Sequence, residues 1–138
     1  MRCLFLAPIV LLAGCASTHV IQPQLSPASV EYSRAQRVEV TLDNFSFAPA
    51  DLHLQAGRPI ALVVTNAASG GHNFTAPEFF AAAQIMPGHA DLVASGQLSL
   101  SGGQSVTVNL IPAAGTYRLT CTHLGHAVLG MTGTITVE

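Results

Sequence analysis

Three side chains able to hold a soft metal fall close together near the C-terminus. Cys121, His126 and Met131 are spaced Cys-x4-His-x4-Met in the segment Thr120-Cys121-Thr122-His123-Leu124-Gly125-His126-Ala127-Val128-Leu129-Gly130-Met131. Thiolate and thioether sulfur favour Cu(I), and imidazole suits both copper oxidation states. Two His and one Cys in a plane, with a distant axial Met, are therefore the donor set of an electron-transfer copper site. The loop is one His short of that set. His72, in His72-Asn73-Phe74, is the candidate for the missing imidazole, because it follows a buried strand expected from Ile60 to Asn66 and a turn of small residues from Ala67 to Gly71. Residue type alone leaves other readings open: Cys and His also bind zinc, and a lone Cys is ordinarily an inert small hydrophobe.

The N-terminus changes how the cysteines are counted. Met1-Arg2 is followed by an apolar stretch from Cys3 to Leu12 and by small residues Ala13-Gly14, the pattern of an export signal rather than of a membrane span. Leu12-Ala13-Gly14-Cys15 resembles the lipobox of bacterial lipoproteins, in which the Cys is acylated and the signal is cut before it. More than one acyl chain makes such anchoring stable. Ala16-Ser17 lacks the Asp that often retains lipoproteins in the inner membrane, so the resemblance implies a cell-envelope protein with the outer membrane favoured. Cys3 would leave with the signal and Cys15 would carry lipid, so Cys121 is the one free thiol of the mature chain. An unoccupied thiol in an oxidising compartment is a liability, and a bound metal is its usual occupant.

A β-rich domain must position these donors. Apolar residues alternate with polar ones at Val38, Val40 and Leu42, at Leu52 and Leu54, at Leu98 and Leu100, at Val106, Val108 and Leu110, at Tyr117 and Leu119, and at Ile135 and Val137. Ile60 to Val64 reads as a strand buried on both sides. Gly57, Gly102-Gly103 and Pro112 to Gly115 interrupt these runs at short intervals, which favours hairpins over a parallel sheet. Pro77 to about Met86 reads as one short helix with Pro in its first turn. The expected organisation is a signal peptide over 1–14, a lipidated Cys15 and flexible tether over 15–37, and an all-β Greek-key sandwich or barrel of about eight strands over 38–138. A tether of that length, rich in Ser, Thr, Gln and Pro, would hold the domain about 25 Å from the lipid as a coil.

Phe45-Ser46-Phe47 with Pro49, Ala56-Gly57, Val64-Thr65-Asn66, His72-Asn73-Phe74, Gly115-Thr116-Tyr117 and the Cys121 to Met131 loop occur in an order and spacing that resembles the cupredoxins, the plastocyanin and azurin superfamily. The resemblance spans roughly Val38 to Glu138. It implies that His72, Cys121 and His126 are equatorial ligands of one type 1 copper and that Met131 is the weak axial one. Asn73 then matches the polar residue that hydrogen-bonds across to the Cys-bearing loop, a contact that orients ligands and tunes potential. A lipid-anchored one-electron carrier is the function it implies, with transient redox partners meeting the His126 edge inside a patch of Gly125, Ala127, Val128 and Leu129. A copper-binding or delivery protein that loads a copper-accepting partner is the alternative, and either is expected to be a monomer.

Composition removes other classes. The 138 residues contain no Lys, only 9% are charged, and the net charge is −2, so nothing holds nucleic-acid phosphates. Catalysis is not expected, because the chain has room for one cupredoxin domain and no His-x-His pair for a second, substrate-binding copper. His123 replaces a residue that is often apolar in relatives, and Leu124 stands where Pro is frequent. His123 is expected to face solvent, with a role as alternate ligand or in copper uptake as the sharper possibility. Met86 and His89 are expected to pack and to be solvated, with transient copper capture as their alternative. His19 and His53 are expected to have no function.

Overall fold

A computed structural model describes residues 20–138. The signal, Cys15 and His19 lie outside the described residues. Eleven strands and two helices follow one another: β1 (Gln24–Leu25), β2 (Gln36–Asp43), β3 (Ser46–Ala48), β4 (Asp51–Leu54), β5 (Ile60–Asn66), β6 (His72–Thr75), α1 (Pro77–Ala82), β7 (Gln84–Ile85), α2 (Ala90–Val93), β8 (Gln97–Leu100), β9 (Ser105–Ile111), β10 (Gly115–Thr120) and β11 (Thr132–Val137). They form two sheets, a six-stranded one in the order β1-β7-β9-β5-β2-β3 and a five-stranded one in the order β4-β11-β10-β6-β8. The alternating residues of each strand point between the sheets. Val40, Leu42, Leu52, Leu98, Leu100, Val108, Leu110, Leu119 and Ile135 are all buried there. The expected sandwich is what forms, and the eight strands of four residues or more match the eight expected; the shorter β1, β3 and β7 span too few residues to show alternation.

β5 lies between β2 and β9; Ile60, Leu62 and Val64 are buried on its inner face, while on the outer face Val63 is 5% exposed and Ala61 and Thr65 are half-buried, so the strand is fully covered on one face and partly on the other. Three pairings are parallel, β2 with β5, β4 with β11 and β1 with β7, so the sandwich is mixed rather than built of hairpins. Such neighbours are joined by crossovers, which alternation does not reveal. The helix is shorter than expected. Ala83 is extended at ψ 154°, its N–H bonds the carbonyl of Phe79, and Gln84–Ile85 then pairs with β9 instead of continuing the helix to Met86.

The expected tether also needs correction at its C-terminal part. Ile21 donates its N–H to Ala94 O at 2.9 Å, β1 pairs with β7, and Ser26 is buried with its N–H on Ile85 O at 2.9 Å. Residues 21–35 therefore strap the domain rather than hang free of it. Pro23 and Pro27 suit the edge of a sheet as well as they suit a linker.

Candidate metal centre

The centre is assembled at one end of the sandwich from the start of β6 and the loop between β10 and β11. Asn66, at the end of β5, shapes the turn before β6. Its amide donates to the carbonyls of Gly70 at 2.8 Å and Leu100 at 3.1 Å, and its Oδ1 accepts the N–H of Ala68 at 3.0 Å. Those bonds fold residues 67–71 back, so that β6 opens at His72, paired with Leu100 of β8 and 2% exposed. Across the sheet, Thr75 of β6 pairs with Thr120 of β10, which sets the end of β6 beside Cys121.

Thr120 and Thr132 close the loop as the last pair of the β10–β11 ladder. Inside it, Cys121 N–H donates to Met131 O at 3.1 Å, Met131 N–H to His126 O at 3.0 Å, and His126 N–H to His123 O at 3.0 Å. The backbone thus ties all three loop donors to one another. Gly125 at φ 81° and Gly130 at φ 104° take the left-handed conformation that lets so short a loop turn twice. Cys121 and Met131 are fully buried, and His126 is half-buried.

Asn73 bolts the two segments together. Its Nδ2 donates to Thr122 Oγ1 at 2.7 Å, its Oδ1 accepts Thr122 N–H at 2.8 Å, and the Thr75 hydroxyl donates to the same Oδ1 at 2.8 Å. The His72 and Cys121 backbones are therefore fixed without any metal.

Three donor atoms converge as a result. Cys121 Sγ lies 4.0 Å from His72 Nδ1 and 3.6 Å from His126 Nδ1, and the two Nδ1 atoms are 3.2 Å apart. A triangle with those sides has its equidistant point about 2.1 Å from each corner, inside the roughly 2.0–2.3 Å range of first-row metal bonds to imidazole nitrogen and thiolate sulfur. Burial holds the His72 imidazole below its ordinary pKa, and the neighbouring His126 and His123 add to that while Asp43 opposes it. His72 is therefore neutral near pH 7, the form that can donate to a metal. The donors fit copper: one thiolate, two imidazoles in a close triangle, and the thioether residue pinned to both by its backbone.

Residues 34–138 match the family model described as copper binding proteins of the plastocyanin/azurin family. The chain belongs to that family. Among solved structures, auracyanin B is 27% identical, covers 88% of this chain and 99% of its own, and superposes with a TM-score of 0.58. The sodium-dithionite-reduced auracyanin of Roseiflexus castenholzii, a photosynthetic bacterium, is 21% identical over 75% of this chain and 98% of its own, with a TM-score of 0.55. Auracyanin A, a "blue" copper protein of the green thermophilic photosynthetic bacterium Chloroflexus aurantiacus, is 21% identical over 74% and 99%, with a TM-score of 0.50. These last two likenesses show the shared fold. No curated protein sequence matches the chain. This cupredoxin is a copper-binding protein, and copper is the cofactor its donor set fits.

The structure brings His72, Cys121 and His126 together and sets Met131 at the base of the same loop. His123 is exposed, as expected, with its ring stacked beside that of His126. Met86 and His89 belong to a different place: Met86 Sδ accepts from Asn109 Nδ2 at 3.4 Å and His89 Nδ1 accepts the N–H of Asn109 at 2.9 Å, contacts that hold a turn against β9. His53 is exposed on β4. Sequence reasoning missed Thr122, the partner of Asn73, and, though it quoted Phe45 in the family pattern, missed its place beside His126, with ring centroids 5.2 Å apart at 78°. Phe45 sits in a two-residue turn at φ 61°, and the only sequence trace of that turn is Asp43-Asn44 before it.

Proposed function

We propose that this cupredoxin is a one-electron carrier, anchored through lipid on Cys15 to a membrane of the bacterial cell envelope, the outer membrane by preference. The observation that carries the electron-transfer reading is the donor triangle, which is already closed to bonding dimensions by buried side chains and backbone bonds. Copper bound there supplies a centre that alternates between Cu(I) and Cu(II). His72, Cys121 and His126 would hold it, and Met131 at the base of the same loop would offer a soft thioether sulfur. A frame tied together by Asn73 and the loop backbone keeps the same ligand positions in both states, so little reorganisation accompanies electron transfer.

His126 is the ligand on the solvent side. Around it Leu124 is 101% exposed, Val128 91%, Leu129 62% and Phe45 42%, an apolar rim suited to small, brief contacts with redox partner proteins. The reading gives the chain no catalytic step and needs only one copy of it. Delivery of copper to another protein is the weaker reading, since Met86 and His89, two of its three extra donors, pack on Asn109 of β9 and are not part of the His72, Cys121 and His126 cluster.

Anchoring rests on Leu12-Ala13-Gly14-Cys15. Five residues, 16–20, separate that Cys from Ile21, so lipid on Cys15 would keep the domain within about 20 Å of the membrane surface. Electron self-exchange, read from nuclear magnetic resonance line widths in mixtures of Cu(I) and Cu(II) protein, tests the carrier. Fast exchange with copper retained against a metal-free acceptor protein is expected. Slow exchange with ready transfer of copper would replace the carrier by the delivery reading. Mass spectrometry of the N-terminal peptide tests the anchor, which is wrong if Cys15 carries no acyl chain.

A further inference from the structure

The loop carries a third imidazole that the donor triangle leaves unused. The His123 ring is exposed, 5.4 Å from that of His126 and 28° from parallel to it, and 6.3 Å from that of His72. Its edge rests over Gly71, where a Cβ would stand 3.4 Å from His123 Cε1 and 3.8 Å from Nε2. With Gly71, Ser99, Leu100 and Ser101 it walls a surface groove of about 210 Å³ whose lining includes His72. Solvent thus reaches the edge of a ligand that is only 2% exposed. The His126 ring also meets Phe45, T-shaped with centroids 5.2 Å apart, an apolar neighbour with no lone pair to offer a cation. No charged side chain occurs from Thr120 to Thr132, so this loop itself carries no fixed cation to repel a metal, and Asp43 is the acid whose field reaches His72.

Resting on the copper reading above, we propose that His123 and the Gly71 groove form the uptake port of the centre, where His123 takes a hydrated copper ion from solvent and hands it to His126 and His72. The His123 nitrogen replaces one water of the ion. It is then released as the Nδ1 atoms of His126 and His72 bind in place of further waters, and Cys121 gives its thiol proton to solvent when its sulfur joins. No electron moves in these exchanges. His123 does not stay bound, because three donors already close the triangle and the Cys-x-His spacing puts it outside. Its function is to hold the ion at high local concentration beside a site that is otherwise buried.

The test is the rate at which metal-free protein takes up Cu(II), followed by stopped-flow growth of the thiolate-to-copper absorption band. For His123→Ala the port predicts uptake about tenfold slower, the loss of one pre-binding group, with the same final band and the same reduction potential. Gly71→Leu fills the groove while keeping the imidazole, and slower uptake to an unchanged endpoint is expected there as well. Uptake by His123→Ala within twofold of the parent protein overturns the port. So does a changed final spectrum, which would make His123 a resident ligand. Failure of the copper reading looks different: the parent protein itself would then develop no thiolate band.

Discussion

Replacing Asn73 by Ala removes the bolt between β6 and the metal-binding loop, and its cost can be worked from the bonds it makes. Three hydrogen bonds of 2.7–2.8 Å are lost, from a side chain 4% exposed. At about 1 kcal/mol net each the upper figure is about 3 kcal/mol, but two considerations lower it. Thr122 is exposed, so water can replace its partners, and the Thr75 hydroxyl keeps Gln97 Oε1 at 3.0 Å. The expected loss is about 2 kcal/mol in the metal-free protein, which for a domain of this size lowers Tm by about 6–12 °C. Urea unfolding of the metal-free protein measures it directly. A double-mutant cycle with Thr122→Val, which deletes only the hydroxyl partner, is expected to show about 1 kcal/mol of coupling. The Thr122 amide should also exchange its hydrogen faster in the Asn73→Ala protein, because its acceptor is gone. A loss below about 0.5 kcal/mol, or zero coupling with Thr122, would refute the claim that this side chain fixes the loop.

Other perturbations reach different parts of the account. Phe74→Ala empties the centre of an aromatic cluster, since Phe74 is fully buried with its ring 6.1 Å from Phe47 and 5.9 Å from Phe80; a loss of about 3–5 kcal/mol is expected in urea unfolding. His72 is held below its ordinary pKa in the folded metal-free protein, so below about pH 6.5 the unfolded chain binds the extra proton and stability falls as pH drops toward the depressed folded value. The urea midpoint of the metal-free protein should accordingly be lower at pH 5.5 than at pH 7.5, with the difference reduced in His72→Asn. A chain beginning at Gln36 lacks the strap of Ile21 and β1, and is expected to be about 2 kcal/mol less stable than one beginning at Val20; equal stability would restore the view of residues 21–35 as a free tether.

The loop donors were legible because Cys121, His126 and Met131 are local in sequence and chemically unlike core residues. His72 lies 49 positions before Cys121; its place after a strand and a turn of small residues made it the candidate, and the resemblance to a known family gave it the role of equatorial ligand. Long strands were legible by alternation, and the buried β5 by its unbroken apolar run. Alternation is the same in parallel and antiparallel pairs, so the three parallel pairings were not. The strap from Ile21 to Ala35 escaped notice because it docks through scattered positions, with Ile21 and Val30 half-buried and Ser26 buried, and no periodic face marks it. Helix α1 was placed correctly at Pro77, but its end depends on the free edge of β9, to which no local residue points.

Titration of metal-free protein, beginning after Cys15, with Cu(II) while recording visible absorption and electron paramagnetic resonance tests the central claim most directly, beside Cys121→Ser. The account predicts one equivalent of copper, an intense thiolate-to-copper band and narrow hyperfine splitting, all lost in Cys121→Ser. Pale tetragonal copper spectra, or no stoichiometric binding, would contradict the assignment of His72, Cys121, His126 and Met131 as one electron-transfer centre.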